Sequence, residues 1–237
     1  MYAGDYPARQ YNAGVDAYQA HDYVRALAHF QKSADTGDGD ALNFLGTLYE
    51  EGLGTAKDPV KAVSFYEKAA AKESSSADVN LGYAYHNGIG VGRDETQAVA
   101  WYRAAAAKGN ANGEYWLAMH YESGEGVARN DAEAARLLAS AAAKGLSKAQ
   151  NDLGLLYDDG RRVPQDLAKA VAYYQKAADQ NDTVAQFNVG HMYEKGRGVV
   201  QSIPTAILWY QKAAASGDQD AQAALHRLNV TAVASQK

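Results

Sequence analysis

Residues 86 to 92 read HNGIGVG, with glycines at 88, 90 and 92. Alternating glycines let backbone N–H groups approach an anion closely, which is how nucleotide sites cradle phosphate. A loop of that kind would point to a nucleotide-binding enzyme. The stretch Gly145-Leu146-Ser147-Lys148-Ala149 approaches a nucleophile elbow, but it lacks the last glycine and a preceding strand. The six histidines form no His-x-x-x-His pair and no metal-spaced cluster. There is no cysteine, which excludes disulfides, thiolate zinc sites and cysteine nucleophiles. Carboxylates are numerous, and they read as helix caps or solvated faces. The residues therefore assign no catalytic, cofactor or metal position, and the chain reads as a non-enzyme.

The glycines themselves recur. Gly88 and Gly90 have counterparts in Gly52 and Gly54, Gly124 and Gly126, Gly160, and Gly196 and Gly198, each step being 36 residues. Arg162 alone breaks the second column. Tyr49, Tyr85, Tyr121, Tyr157 and Tyr193 form another column, and Gly46, Gly82, Ala118, Gly154 and Gly190 a third. A pair of columns carries Phe65-Tyr66, Trp101-Tyr102, Leu137-Leu138, Tyr173-Tyr174 and Trp209-Tyr210. A fixed period in this range marks stacked repeats. A phosphate site is needed once, and a dinucleotide fingerprint follows a β-strand, whereas ADVNLGYAYHN reads as helix. The glycine loop is a connector.

Each unit reads as two helices. N-cap types open the first at Asp38, Ser74, Asn110, Asp182 and Asp218, with Ser147 replacing the Leu146 of its column. A second cap column follows at Asp58, Asp94, Asn130, Asp166 and Ser202. Glycine pairs end the first helix, and Gly37, Gly109, Gly145, Asn181 and Gly217 end the second, with Glu73 the exception. The spacing predicts helices near 39–51 and 59–72, recurring every 36 residues. Inside the first helix the Gly46 column costs about 1 kcal/mol against alanine. Close approach of a neighbouring helix is its expected compensation. The fold class is all-α, a right-handed α/α solenoid of stacked helix–loop–helix repeats.

LGTLYEEGLGTAKDPVKAVSFYEKAA and LGYAYHNGIGVGRDETQAVAWYRAAA resemble Sel-1-like repeats, longer relatives of the tetratricopeptide repeat. The resemblance covers five units, 38–73, 74–109, 110–145, 146–181 and 182–217. Residues 9–37 resemble a tetratricopeptide repeat, because the glycine-loop insertion is missing there. Residues 218–230 read as a capping helix and 231–237 as a frayed tail, all within one solenoid domain, 1–237. Cysteine-stapled members of the family have been linked to β-lactam hydrolysis, and a chain without cysteine carries that precedent poorly. The resemblance implies a non-catalytic scaffold or adaptor, in bacteria one acting in envelope assembly, signalling or host interaction. A cell-wall or glycan-binding module is the alternative.

A net charge of −5 argues against a nucleic-acid binder, which needs a basic face. No apolar run reaches the length of a membrane span. MYAGDYPARQ has no apolar signal core, so the compartment stays open between cytoplasm and a secreted or periplasmic location; a bacterial monomer is expected.

The resemblance places first helices on the inner face of the solenoid. One helical stripe then gives the groove as Asn43, Thr47 and Glu50; Val79, Tyr83 and His86; Tyr115, Met119 and Glu122; Asn151, Leu155 and Asp158; and Phe187, His191 and Glu194. The apolar members form a floor; Glu50, Glu122, Asp158 and Glu194 read either as a solvated, unselective habit of this repeat or as an acidic rail suited to a basic, partly apolar peptide. His120 shares a column with Leu48, Ala84, Leu156 and Met192 and reads as a partly buried core histidine. Asn181-Asp182-Thr183 and Asn229-Val230-Thr231 fit the glycosylation triplet. If the glycine loop is a connector, ATP and NAD should leave the melting temperature unchanged. A dose-dependent rise would mean preferential binding to the folded state.

Overall fold

The structure, a computed structural model, describes residues 5–160 and 163–234. Among the described residues all regular structure is helical. The helices are α1 (Asp5–Gln19), α2 (Tyr23–Ala34), α3 (Gly39–Glu51), α4 (Pro59–Ala70), α5 (Ser75–Asn87), α6 (Glu95–Ala107), α7 (Ala111–Ser123), α8 (Asp131–Ala143), α9 (Ser147–Asp159), α10 (Leu167–Ala178), α11 (Thr183–Lys195), α12 (Ile203–Ala215) and α13 (Gln219–Ala234). Two compact units result, Met1–Asn130 with α1 to α7 and Asp131–Lys237 with α8 to α13. Within each, every helix packs on the next, and in the first unit α3 also meets α5 and α5 meets α7. That is the α/α solenoid of stacked repeats.

The boundaries follow from local chemistry. Asp38, Asn110 and Asp182 accept backbone N–H groups at the starts of α3, α7 and α11. Asp58, Asp94, Asp166 and Ser202 do the same for α4, α6, α10 and α12. Ser74 makes no capping bond, and Ser147 is the first residue of α9 rather than its cap, Leu146 holding that place. The second helices end in left-handed residues. Gly37, Gly109, Gly145 and Gly217 take that conformation freely, and Glu73 and Asn181 take it at φ 64° and 65°. The absent glycine at 73 is tolerated at the small cost a side chain pays there. Helix α13 continues to Ala234, past the expected boundary of the tail, and residues 235–237 lie outside those described.

The core is built from one contact repeated along the chain. Phe30, Tyr66, Tyr102, Tyr174 and Tyr210 are among the largest fully buried side chains. Each ring lies on a first-helix glycine of its own repeat: Gly14, Gly46, Gly82, Gly154 and Gly190. A Cβ on Gly82 would stand 2.5 Å from the Tyr102 ring, and one on Gly190 2.7 Å from that of Tyr210. Burying such a side chain is worth about 1.5–3 kcal/mol, more than the roughly 1 kcal/mol that glycine costs a helix. In the repeat 110–145 both columns change together, to Ala118 and Leu138.

The connector is explained by the same close packing. Gly52, Gly88, Gly124, Gly160 and Gly196 are left-handed C-caps of the first helices. The second glycine touches backbone: a Cβ on Gly90 would run into the Pro59 carbonyl, one on Gly126 into that of Glu95, and one on Gly198 into that of Leu167. Each carbonyl belongs to the first residue of the preceding repeat's second helix. The place a phosphate would take is filled by protein, and by an oxygen that repels anions. Arg162, the exception in this column, lies outside the described residues.

Replacing Gly82 by leucine should therefore overpack this contact and lower stability by about 2–3 kcal/mol, read as a fall in the urea midpoint. An unchanged midpoint would show that the ring does not need the missing Cβ.

Candidate functional site

The stripe expected to line the groove divides by burial. On α3, Asn43, Thr47 and Glu50 are half-buried. On α5, Val79 and His86 are half-buried and Tyr83 is 41% exposed. Tyr115, Met119 and Glu122 on α7 are half-buried, as are Asp158 on α9 and Phe187 and His191 on α11. Leu155 is 46% exposed, whereas Asn151 and Glu194 are buried. Large apolar side chains thus reach the surface on the first-helix faces of α5 and of α9.

Much of the polar stripe works inside the protein. The amide of Asn80 donates to Asn43 at 2.8 Å and that of Asn188 to Asn151 at 2.9 Å, so asparagines tie one first helix to the next. Three of the four acids in the column, Glu50, Asp158 and Glu194, are likewise engaged within the protein. The Tyr66 hydroxyl donates to Glu50 and that of Tyr210 to Glu194, both at 2.8 Å. Arg197 donates to Asp158 at 2.6 Å. Glu194 also receives Lys195 and Arg227, each at 2.7 Å. Glu50 and Glu194 thus serve a buried second-helix hydroxyl that needs an acceptor. Burial raises the hydroxyl pKa of Tyr66 and Tyr210, so both stay protonated donors. The hydrogen bond from Arg227, opposed by burial and assisted by Lys195 and Tyr210, holds the Glu194 carboxyl at about 2. Burial also pushes His191 below its ordinary value.

One cluster was not legible from spacing. His86 in the last turn of α5, Glu95 opening α6 and His120 in the last turn of α7 come together. A ligand-type atom from each lies within 4.8 Å of those of the other two, the one such group among the described residues. Nδ1 of His86 is 2.8 Å from Glu95 Oε2, and Nδ1 of His120 is 3.9 Å from the same oxygen. Arg93 holds the other carboxylate oxygen, its Nε at 2.8 Å and Nη2 at 2.6 Å. Burial pushes the Glu95 pKa up, but hydrogen bonds from His86 and Arg93 outweigh it and hold the carboxyl below its ordinary value. His120 is buried as expected, and its Nδ1 lies 3.0 Å from the Glu125 carbonyl. Beside the cluster is a cleft of about 170 Å³ lined by His86, Trp116, Met119, His120, Ser123 and Glu125. A second cleft, about 520 Å³, runs along α12 past Leu208, Trp209 and Lys212; one helix supplies its whole lining, so it is an open face. No helix among the described residues is long and apolar enough to cross a membrane.

The repeats match a known family directly. The family model described as Sel1 repeat matches residues 10–38, 39–74, 75–110, 111–146, 147–182 and 183–218. The chain belongs to the Sel1 repeat family. The matched segments include 10–38, the unit that lacks the glycine loop and resembles a tetratricopeptide repeat in sequence. Among solved structures, a Sel1 repeat protein from Oxalobacter formigenes is 35% identical, with 88% of this chain and 85% of that chain covered and a TM-score of 0.81. The protein c5321, a protective antigen of uropathogenic Escherichia coli strains with the same repeat fold, is 32% identical over 95% of this chain, with a TM-score of 0.76. This chain spans 49% of that one. A protein named beta-lactamase HcpA, from Helicobacter pylori, is 40% identical over 45 residues, which are 19% of this chain and 18% of HcpA. Sel1 repeat proteins are generally protein-interaction scaffolds, and no catalytic family is shown for this chain.

The Glu194 network sets a pH dependence. A carboxyl held at about 2 when folded, against 4.5 ordinarily, contributes stability that is whole above about 4.5 and is lost as the pH falls toward 2. Glu194→Gln should remove that part of the acid sensitivity. Its melting temperature should fall less than wild type between pH 5 and pH 2, as roughly bracketed by those two values; parallel curves would show that the carboxylate does not carry it.

Proposed function

We propose that this Sel1 repeat chain is a non-catalytic scaffold that holds a protein partner on its first-helix faces. The observation that carries the reading is the exposure of Tyr83 on α5 and Leu155 on α9, at 41% and 46%. Val79, Tyr115 and Met119 are half-buried on the same stripe as Tyr83, and Phe187 and His191 on that of Leu155. In each compact unit an exposed apolar side chain with half-buried apolar neighbours on the same first-helix face offers a surface of the interaction kind. Aromatic residues with apolar neighbours supply the anchors of such interfaces.

The partner this surface suits is a protein segment with apolar or aromatic side chains. A basic partner is not favoured, because Glu50, Asp158 and Glu194 are already engaged within the protein. The likeness to a protective antigen of uropathogenic Escherichia coli supports a host-facing role among the bacterial settings considered.

A partner recovered by cross-linking and then purified provides the test. Tyr83→Ala and Leu155→Ala, measured separately, should each weaken binding by about 30-fold, about 2 kcal/mol, if the residue is a buried anchor. Circular dichroism should stay that of wild type, since both side chains are solvent-exposed. If both variants bind like wild type while Leu208→Asp on α12 abolishes binding, the partner uses the second-helix face and this reading is wrong. Retention of a glycan fragment in place of a protein would favour the cell-wall alternative.

A further inference from the structure

We propose that His86, Glu95 and His120 form a binding site for a divalent transition-metal ion of the zinc class. Two imidazoles and one carboxylate suit zinc, whereas calcium and magnesium prefer all-oxygen shells. Three protein ligands with a fourth position open is a common zinc arrangement. The ligand atoms of a tetrahedral zinc site, with bonds of about 2.0–2.1 Å, lie roughly 3.3 Å apart. The separations of Glu95 Oε2 from the two imidazole Nδ1 atoms, 2.8 and 3.9 Å, bracket that value. The two histidine rings stand nearly perpendicular, at 86°, with centroids 5.3 Å apart.

The supporting contacts fit a metal site. All three ligands sit at helix ends of the packed series α5, α6 and α7, which fixes their backbones. Arg93 holds Glu95 through Oε1 and leaves Oε2 directed at the histidines. Binding at His86 Nδ1 displaces the proton shared with Glu95, and binding at His120 Nδ1 exchanges the contact with the Glu125 carbonyl for a metal bond. Glu125 is an exposed loop residue, so its carbonyl passes to water.

A second observation is independent of the ligand set. Where the last turn of a first helix carries glutamate, the repeat tyrosine donates to it, as Tyr66 does to Glu50 and Tyr210 to Glu194. His86 takes that position in this repeat, and the hydroxyl of the fully buried Tyr102 has no hydrogen-bond partner among the described residues. The Tyr102 ring lies 5.4 Å from that of His120. A buried hydroxyl requires a partner, and a water in the open fourth metal position would supply one. The cleft of about 170 Å³ beside His86 and His120 has room for it. The sequence departs from its own repeat at both histidines, and at Glu95 only Asp131 among the counterparts is also an acid. Glu50, Glu122, Asp158 and Glu194 share the column of His86; Pro59, Asp131, Leu167 and Ile203 that of Glu95; Leu48, Ala84, Leu156 and Met192 that of His120.

The test uses the full chain without an affinity tag, stripped with a chelator and titrated with Zn²⁺ alone by calorimetry. One equivalent should bind and raise the melting temperature, while Mg²⁺ should do neither. Co²⁺ in place of Zn²⁺ should give the visible absorption of a tetrahedral site. His86→Gln should abolish the one-equivalent isotherm. His120→Leu should do the same; leucine stands in that column at Leu48 and Leu156, so the variant is suited to the fold. A wild type without saturable one-to-one binding overturns the proposal. So does a folded His86→Gln or His120→Leu chain that binds zinc like wild type, since other histidines would then be responsible. None of these readouts needs the protein partner, so failure here leaves the scaffold reading standing.

Discussion

An aromatic ring lying on a helix that lacks a β-carbon is the contact on which this solenoid depends. With Gly46 beneath Tyr66 and Gly82 beneath Tyr102, two helices approach more closely than ordinary side chains allow. Glycine weakens each first helix, and the buried ring returns more than that loss. Because both members of the contact belong to one repeat, the hairpin is complete before any neighbour is added. Stacking then buries what remains, and the second loop glycines Gly54, Gly90, Gly126 and Gly198 seat their repeats on the backbone of the helix pair before.

That contact has a polar consequence. A tyrosine carries its hydroxyl into the core, where the group requires an acceptor. Glu50 and Glu194 supply it from the last turn of the first helix. A column of acids that looks like a charged rail is therefore partly an internal requirement of the fold. What first-helix faces offer a partner includes the apolar surface of Tyr83, Leu155 and Val184. Asparagine pairs such as Asn43–Asn80 are likewise spent in joining repeats.

Departures from the repeat are where individuality enters. His86 in place of the acid leaves Tyr102 without its usual partner, and Glu95 and His120 converge on the same point. A repeat architecture makes such changes readable, because every position has counterparts that show what the fold alone demands. At Ala118 and Leu138 the departures offset each other in volume. At His86 and His120 the departures bring two imidazoles to the carboxylate of Glu95.

Local interactions were legible in the residues themselves. Cap residues, left-handed glycines and a fixed 36-residue period act over a few positions each. They determined the helices, the boundaries of those inside the 36-residue units to within about two residues, the connector role of GIGVG and the repeat family. The helical stripe also groups residues by their spacing along each first helix. Periodicity could not tell which of them reach solvent: Tyr83 and Leu155 do, while Asn151 and Glu194 turn inward. That difference depends on partners far along the chain, such as Arg227 for Glu194 and Asn188 for Asn151. The His86–Glu95–His120 cluster belongs wholly to the tertiary structure. Its histidines stand 34 residues apart on different helices, and only the stacking of α5, α6 and α7 brings them within reach of one another.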